Sequence, residues 1–564
     1  MNTELQEYWG VGPKTRDLLA DEMGEKAAAE AIEKSDVRAL VGAGLPRGRA
    51  TRVVRRAKGG EGLEILATRD TRDVYKSLLD RMGEYAVTDE AEDRVTVMTP
   101  FTDRKEAEER LESVWGAVGA LERLGGDIVD AFKGYDETDG ARVETALRLR
   151  EAGADEEFDA LETLDEEALR DALGALKHLE DGGVTEGADE GLDAMRRRLE
   201  AVRELEEDSF DLAERLSGGA AGADELREAF VDHVVAEADV TYDRAQETLE
   251  TDALDATDFV TGSLRALLDS LRADVEEREE EVTEELRGRV ERNRKEVDEA
   301  TEAVREVAFL LSLARFADAY DLRRPEYVDG GVSVRGARSL ALEVRGEDVQ
   351  PVDYAVGRDD GIAEGEVAVL TGANSGGKTT LLETMCEVVL LAQMGVPVAA
   401  EEAHVSVFDD VVFHRRHSSF NAGVLESTLR SVVPPLTEDG DALMLVDEFE
   451  AITEPGSAAD LLHGLVNLTV ERDAVGVFVT HLADDLEPLP ETARVDGIFA
   501  EGLDDELELE VDYQPRFGTV GRSTPEFIVS RLIARSDGRE DRAGYDVLAQ
   551  SVGVEKVQKT LDEV

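Results

Sequence analysis

Cysteine is nearly absent from this chain, and so are long apolar runs. Cys386 is the only cysteine among 564 residues, so an internal disulfide is ruled out. It falls in the apolar helical segment LLETMCEVVLLAQ, where a small core residue is more common than a reactive thiol. No apolar run reaches membrane-spanning length, and the opening MNTELQEYWG has neither the basic start nor the apolar core of a signal peptide. We therefore expect a soluble, cytoplasmic protein with no membrane partner.

Basic residues are scarce beside acidic ones. The chain has 63 lysines and arginines against 130 aspartates and glutamates, a net charge of −67. Acidic residues occur in every segment instead of forming one tail, so we interpret the composition as surface adaptation to a very salty cytoplasm. Near 1 M salt the Debye length is about 3 Å, so distant acidic charges would repel nucleic acid only weakly. Local basic patches could still bind DNA.

Residues 367–380, VAVLTGANSGGKTT, carry the clearest chemical signal. They predict a short apolar strand, a glycine-rich loop and a helix that begins near Lys378, and they match the phosphate-binding pattern G-x-x-x-x-G-K-[ST]. Glycines let backbone N–H groups approach the phosphates closely at the helix N-terminus. The alternative is a chance glycine-rich turn, which both flanks disfavour. The predicted nucleotide-binding residues are Gly372, Ala373, Asn374, Ser375, Gly376, Gly377, Lys378, Thr379 and Thr380.

Two later strands end in polar side chains that complete this chemistry. The strand ALMLV runs into Asp447 and Glu448, and the strand VGVFV runs into Thr480 and His481. Ligands bind at the carboxyl edge of a parallel sheet, where such strand ends meet. We therefore predict that Thr379 and Asp447 hold Mg²⁺, that Glu448 polarises the attacking water, and that His481 senses or orients the γ-phosphate. A lone histidine is usually structural, but its place after a strand favours a function.

The N-terminal region contains a basic segment in an otherwise acidic chain. Residues 37–60 contain no acidic residue, and GVGPKTR at 10–16 recurs as GLPRGRA at 44–50. Each copy resembles the helix-hairpin-helix element, which holds a DNA phosphate without reading base sequence. Arg16 and Pro46 depart from that pattern, and a protein-docking module with a solvated basic face remains the alternative. The candidate DNA-binding residues are Gly10, Gly12, Lys14, Gly44, Arg47, Arg49 and Arg52.

The middle of the chain is predicted to be helical. A glycine-rich joint at 59–62 ends the N-terminal module, and apolar residues recur at helical spacing from there to 204. A long heptad-like signal then covers 258–320 and predicts a clamp-like helix. A basic cluster on it could face DNA or pair with neighbouring glutamates, and we weigh these alternatives equally. The cluster comprises Arg287, Arg289, Arg292, Arg294 and Lys295.

The C-terminal half resembles the ATPase domain of the MutS family. The matching segments occur in order: Ser312-Leu313-Ala314, Arg324-Pro325, TGANSGGKTT, LAQMGVPVAA, Phe408 to Arg415, Ser418-Ser419-Phe420, LMLVDEFE and VTHL. The resemblance implies ATP and Mg²⁺ as cofactors and a homodimer in which Ser418 or Ser419 reaches the partner's γ-phosphate. It also implies a contact between Asn374 and the nucleotide. The segment LMLVDEFEAITEPGSAAD departs from the family's usual Gly-x-Gly-Thr run.

Missing segments point to a subtype within that family. Mismatch-recognising members carry a wedge domain with a Phe-x-Glu motif, whereas this chain begins with the hairpin module and matches those letters only by chance at 499–501. Many bacterial members of the second subfamily end in a nuclease domain, whereas a short helical tail ends this sequence. The chain is therefore most similar to the archaeal second MutS subfamily. That resemblance implies an ATPase that binds DNA through backbone contacts, in recombination or repair.

The expected fold class is a multidomain α and α/β protein. It would comprise a helix-hairpin-helix pair, a long helical core, lever and clamp region, and an ABC-type phosphate-loop ATPase with a mixed sheet. The predicted domains are 1–60, 63–204, 205–320, 321–535 and a helical tail at 536–564. The rival function is an ATP-dependent adaptor whose hairpin module docks a protein partner, and true mismatch recognition is a third alternative.

Overall fold

The computed structural model describes most of the chain: residues 5, 11–180, 183–357, 362–372, 377–416, 422–438, 440–449, 455–486, 488–503, 507, 509–521, 525–536 and 539–563. The chain forms two compact units, one of residues 1–130 and 305–564 and one of residues 131–304. The second unit takes in parts of both predicted helical segments, 63–204 and 205–320. Within the described residues, no helix is both long and apolar enough to cross a membrane. The multidomain, mostly helical class with mixed sheets is confirmed.

Four helices at the N-terminus share one apolar core. They are α1 (Pro13–Glu22), α2 (Glu25–Glu33), α3 (Val37–Gly42) and α4 (Arg47–Glu64). Leu19, Ile32, Leu40 and Val54 are fully buried within it. Asp36 caps α3 by accepting a hydrogen bond from the Ala39 N–H at 2.8 Å, which satisfies one of the backbone donors exposed at a helix start.

The predicted glycine joint at 59–62 is wrong, because α4 continues through it to Glu64. Gly62 instead allows a close approach: a Cβ placed there would lie 2.1 Å from the Pro100 carbonyl oxygen. A glycine in a helix marks either a break or a tight contact, and the sequence alone does not distinguish them. Here Gly62 lies at a tight contact within a continuous helix.

Further helices of the first unit carry sequence-encoded caps. They are α5 (Arg69–Gly83), α6 (Asp89–Thr96), α7 (Arg104–Leu124) and α8 (Gly126–Asp130). Thr68, Thr88 and Asp103 each accept a hydrogen bond from the first turn of α5, α6 and α7 respectively. These side chains replace the missing intrahelical acceptors and fix where each helix begins.

The second unit is a helical assembly around two apolar clusters. Its elements are α9 (Asp139–Glu151), α10 (Asp159–Glu162), α11 (Glu166–Leu176), β1 (Leu179–Glu180), β2 (Gly183–Val184), α12 (Glu190–Glu207), α13 (Ser209–Gly219), α14 (Ala223–Ala238), α15 (Tyr242–Glu247) and α16 (Ala256–Arg292). The heptad-like residues Val275, Val282 and Leu286 of α16 are buried. The long helical signal divides at Asn293, after which α17 (Arg294–Ala319) begins.

Several members of the predicted basic cluster form ion pairs. Arg289 lies 2.7 Å from Asp171 of α11, Arg294 lies 3.3 Å from Asp139 of α9, and Lys295 pairs with Glu299 at 3.1 Å. This supports the ion-pairing interpretation. Two of these partners lie on other helices, so local sequence could not name them.

The C-terminal region contains two mixed sheets. Its strands are β3 (Glu326–Tyr327), β4 (Val332–Ala337), β5 (Val352–Val356), β6 (Val367–Gly372), β7 (Glu402–Val405), β8 (Asp410–His414), β9 (Ala442–Asp447), β10 (Val475–Val479), β11 (Ala493–Leu503) and β12 (Leu509–Arg516). Six of them form a sheet in the order β12-β11-β6-β10-β9-β8, in which only β12 is antiparallel to its neighbour. The other four form a sheet in the order β3-β7-β4-β5.

The same region contains helices between and after these strands. They are α18 (Leu340–Glu343), α19 (Lys378–Gln393), α20 (Ala422–Val432) and α21 (Pro455–Glu471), followed by α22 (Pro525–Ala534), α23 (Arg539–Val552) and α24 (Val554–Glu563). Cys386 of α19 is fully buried, and burial raises its thiol pKa well above the ordinary value, which confirms a core role. The helices α22, α23 and α24 share one apolar cluster, so the predicted tail packs with the helix before residue 535.

The segment after α4 covers the edge strand of the six-stranded sheet. Ile65 accepts a hydrogen bond from the Val411 N–H at 2.8 Å. The Thr71 hydroxyl donates to the Val411 carbonyl at 3.0 Å and accepts from the Phe413 N–H at 2.9 Å. An uncovered edge strand would expose unpaired backbone groups, so this segment completes the sheet.

Replacing Gly62 with alanine should lower the free energy of unfolding by about 1–3 kcal/mol, because the new methyl group must displace the Pro100 carbonyl or α4. Calorimetry on the full chain measures the change. The matched control is Gly116→Ala in α7, where nothing lies within 4 Å of the new Cβ. That change should stabilise by roughly 0.5–1 kcal/mol. Unaltered stability of the Gly62 variant would contradict the close packing of α4.

Replacing Arg81 with alanine should destabilise the protein more strongly at pH 8 than at pH 5. Arg81 of α5 donates to Glu387 of α19 at 3.2 Å, and burial raises the pKa of Glu387 from 4.5 to about 7. Between pH 4.5 and about pH 7 the folded state therefore binds more protons than the unfolded state does. The stability contributed by Glu387 consequently falls as the pH rises through that window. Near pH 8 the variant leaves a buried charge unpaired, at a cost of about 3 kcal/mol.

Thermal unfolding at both pH values measures this difference. The exposed pair formed by Lys105 and Glu109 at 3.2 Å provides the control. Lys105→Ala should cost less than about 1 kcal/mol at either pH. Equal losses for the two variants at pH 8 would show that burial of Glu387 does not matter.

Candidate nucleotide-binding site

Three adjacent parallel strands bring the predicted site residues together. In the order β6-β10-β9, the strands end at Gly372, Val479 and Asp447. The interiors of all three are buried, so their apolar residues fix the sheet while their carboxyl ends meet at one edge. Open parallel sheets bind ligands at this edge.

The start of α19 supplies the residues that follow the glycine-rich loop. Gly377 precedes the helix with φ +71, and a Cβ there would lie 2.8 Å from the Tyr513 ring. Lys378 is almost fully buried, and its Nζ donates to the Gly372 carbonyl at 3.0 Å. Both ends of the loop therefore lie close together. The loop's predicted members Ala373, Asn374, Ser375 and Gly376 lie outside the described residues.

Thr379 and Asp447 form the candidate metal-binding pair. The Thr379 hydroxyl donates to Asp447 Oδ2 at 2.6 Å. Asp447 Oδ1 is buried and has no hydrogen-bond partner among the described residues. Burial raises the pKa of Asp447, and the hydrogen bond from Thr379 opposes that shift.

A hydroxyl and a carboxylate with an unused oxygen fit Mg²⁺, which prefers oxygen ligands. The described part of the chain contains no cluster of three or more His, Cys, Asp or Glu side chains suited to a metal. Mg²⁺ in phosphate-loop sites is usually held by one or two protein ligands together with substrate phosphates. The pair of Thr379 and Asp447 therefore matches a metal that arrives with a nucleotide.

Glu448 follows Asp447 in an unusual backbone conformation. Its φ is +43, a region that non-glycine residues rarely occupy, and its N–H donates to the Val479 carbonyl at 3.0 Å. Its Oε1 lies 3.1 Å from His481 Nε2, and its Oε2 lies 2.6 Å from Arg416 Nη1. The hydrogen bond from His481 is the main cause that lowers the pKa of Glu448, and Arg416 adds to it. The structure thus brings Glu448 and His481 together.

A cavity of about 390 Å³ lies beside these residues. Lys378, Thr379, Thr380 and Glu448 line one part of it, and Leu342, Gln350, Val352 and Tyr513 line another. Gln350 accepts from the Tyr513 N–H at 3.1 Å and donates to Asp512 at 3.0 Å. The polar phosphate-side residues and an aromatic ring therefore face one space.

Sequence reasoning missed Arg416, Gln350 and Tyr513. The search for polar residues at the carboxyl ends of parallel strands, which identified Asp447 and His481, could also have found Arg416. This residue comes two residues after β8 at the same sheet edge. Gln350 and Tyr513 carry no local motif. They reach the cavity only through the packing of the segments that hold them.

The N-terminal candidate residues are divided between exposed and paired positions. Lys14 and Arg52 are exposed. Arg49 Nη2 donates to the Thr15 hydroxyl at 2.7 Å, which links the first turns of α1 and α4. Gly12 precedes α1, and Gly44 has φ +91 in the turn before α4. Gly10 lies outside the described residues, as do Ser418 and Ser419.

Arg47 contacts α6. It lies 2.8 Å from Glu92 and 3.4 Å from Asp93, and Arg38 also pairs with this helix. Burial raises the pKa of Asp93 to about 6, while both arginines act to lower it. Part of the predicted basic face is therefore engaged within the protein.

Comparisons with known proteins support the interpretation of the C-terminal region. Residues 368–489 match the family model of MutS domain V. The "DNA-binding protein MutS2" of Pyrococcus furiosus is 44% identical over 240 residues, 42% of this chain and 42% of that protein. The "Endonuclease MutS2" of Caldanaerobacter subterraneus subsp. tengcongensis is 27% identical over 268 residues, 46% of this chain and 33% of that protein.

The matched region spans less than half the length of either relative. It contains the strands and helices that carry Lys378, Asp447, Glu448 and His481. The C-terminal region of this chain is therefore similar to domain V of the MutS family and to MutS2 proteins.

Proposed function

We propose that this chain hydrolyses ATP and binds DNA with little sequence preference. The observation that carries the proposal is the pairing of Thr379 with Asp447, 2.6 Å apart beside the phosphate-loop helix, with one buried carboxylate oxygen unused. That arrangement suits a Mg²⁺–triphosphate complex. The name of the Pyrococcus furiosus relative adds DNA binding, which is said of that protein and is proposed for this one.

In this proposal each site residue has one task. Lys378 exchanges the Gly372 carbonyl for the β- and γ-phosphates, and the first N–H groups of α19 bind phosphate oxygens. Thr379 and Asp447 would hold Mg²⁺, which neutralises charge that develops on the phosphates. Glu448 accepts the proton of the attacking water, and His481 orients Glu448 by the hydrogen bond at 3.1 Å. The cavity walled by Leu342, Val352 and Tyr513 receives the base.

We further propose a homodimer that closes on DNA when ATP binds. The resemblance assigns the trans contact to Ser418 and Ser419, and closure would follow from tighter binding of ATP to the closed state. Recombination or repair in a salt-rich cytoplasm is the cellular role that we propose with this clamp.

The N-terminal helices are the proposed DNA contact. The first turns of α1 and α4 are joined by Arg49 and Thr15, and Lys14 and Arg52 are exposed on those same helices. Two neighbouring helix N-termini with exposed cations suit a phosphate backbone. The adaptor alternative is favoured by a different observation: Arg47 is already paired with carboxylates of α6.

Lys378→Ala should weaken ATP binding at least tenfold, because it removes the buried cation at the loop. Glu448→Gln should retain ATP binding but lower kcat by about 10²-fold or more, since the amide cannot take a proton. Nucleotide binding and steady-state phosphate release in high-salt buffer measure both effects. Parental turnover by the Glu448 variant would show that this carboxylate has another role.

Exchanging Lys14 and Arg52 for glutamate should weaken binding of duplex DNA and lower the slope of log K against log salt by about 2, because two phosphate contacts are lost. Lys76→Glu with Lys105→Glu, at exposed sites on α5 and α7, is a control with the same change in charge. DNA affinity that falls equally in both double variants indicates a general charge effect. Affinity that is unchanged in both supports the adaptor alternative.

A further inference from the structure

Both carboxylate oxygens of Glu448 are occupied. Oε1 lies 3.1 Å from His481 Nε2, and Oε2 lies 2.6 Å from Arg416 Nη1. A carboxylate that activates water must accept a hydrogen bond from that water. Each oxygen keeps a further lone pair for water. The guanidinium on Oε2, however, makes the carboxylate a weaker base, so Glu448 takes a proton more readily once that contact opens.

Arg416 is the contact with the freer side chain. Its side chain is 53% exposed, whereas that of His481, the other partner of Glu448, is 32% exposed. The Arg416 backbone follows β8, and its N–H also faces Asp447, whose pKa it helps to lower. The residue therefore contacts the Asp447–Glu448 pair, and Glu448 lines the same cavity as Lys378 and Thr379.

We propose that Arg416 contacts the substrate by exchanging partners: it holds Glu448 Oε2 without nucleotide and pairs with the γ-phosphate when ATP is bound. The inference rests on the proposed ATPase function and adds a residue that distinguishes ATP from ADP. A guanidinium can bind two phosphate oxygens at once, so a terminal phosphate competes well with one carboxylate oxygen. ADP has no γ-phosphate and leaves Arg416 on Glu448.

The exchange links substrate binding to the chemical step. Once Arg416 has moved, Oε2 of Glu448 is free to accept the proton of water. The water oxygen bonds to the γ-phosphorus, and the bond to the β–γ bridging oxygen breaks with its electron pair passing to ADP. Arg416 meanwhile faces the negative charge on the departing phosphoryl group, where a cation stabilises the transition state.

Arg416→Gln tests the proposal through the ratio of two affinities. We expect binding of ATPγS to weaken about tenfold or more, as loss of a charge-assisted hydrogen bond implies, while binding of ADP changes less than about twofold. The value of kcat for ATP should also fall. Arg416→Lys keeps the positive charge but not the two-pronged guanidinium, so it should recover part of the ATPγS affinity. Retained ADP affinity in Arg416→Gln shows that the glutamine variant is folded.

Arg430→Gln is the matched control. Arg430 is 78% exposed and pairs with Glu426 within α20, so the same loss of charge should leave both affinities and kcat unchanged. Equal weakening of ATPγS and ADP in Arg416→Gln would overturn the proposal, and so would a raised kcat at an unchanged affinity ratio. If the parental chain binds neither nucleotide, the proposed ATPase function falls as well.

Discussion

The hydrogen bond between Thr379 and Asp447 joins the helix after the phosphate loop to the acidic end of β9, and its geometry depends on how the surrounding elements pack. Thr379 is on the helix after the phosphate loop, whereas Asp447 ends a strand two places away in the sheet order. Their distance of 2.6 Å depends on the register of β6, β10 and β9, which is set by buried apolar side chains. Packing energy spread over many side chains thus fixes the position of two polar atoms.

Burial also gives neighbouring acids different properties. Asp447 and Glu448 are adjacent, yet burial raises the pKa of the first and a hydrogen bond from His481 lowers that of the second. Glu448 additionally occupies a strained backbone conformation at φ +43. Strain of this kind costs about 1–3 kcal/mol and persists where the surroundings hold it, as at functional sites. Here the contact with Val479 and the side-chain contacts with His481 and Arg416 hold it.

A continuous set of contacts connects the N-terminal module with the sheet edge. The chain leaves α4, bonds along β8 through Ile65 and Thr71, and receives the Arg415 N–H on Asp70 at 2.8 Å. Arg416 is the next residue and contacts Glu448. Movement of the module would therefore act on β8, which ends two residues before Arg416.

Arginines of the predicted basic clusters pair with carboxylates within the protein. With a net charge of −67, arginines find carboxylate partners readily, and Arg47 and Arg289 both do so on neighbouring helices. A basic cluster in an acidic chain is thus weak support for a nucleic-acid contact until its partners are known. Exposed cations such as Lys14 and Arg52 remain the better candidates for a nucleic-acid contact, because their side chains face solvent.

The sequence by itself determined the strand that ends at Gly372, the helix that begins at Lys378, the polar strand ends at Asp447 and His481, and the core role of Cys386. These features depend on local periodicity and on motifs whose spacing is a property of one segment. Tertiary structure decided the rest. It extended α4 through the glycines at 59–62, paired Arg47 with α6, placed Arg416 against Glu448, and brought Tyr513 to the cavity. Such contacts between distant segments depend on how whole elements pack.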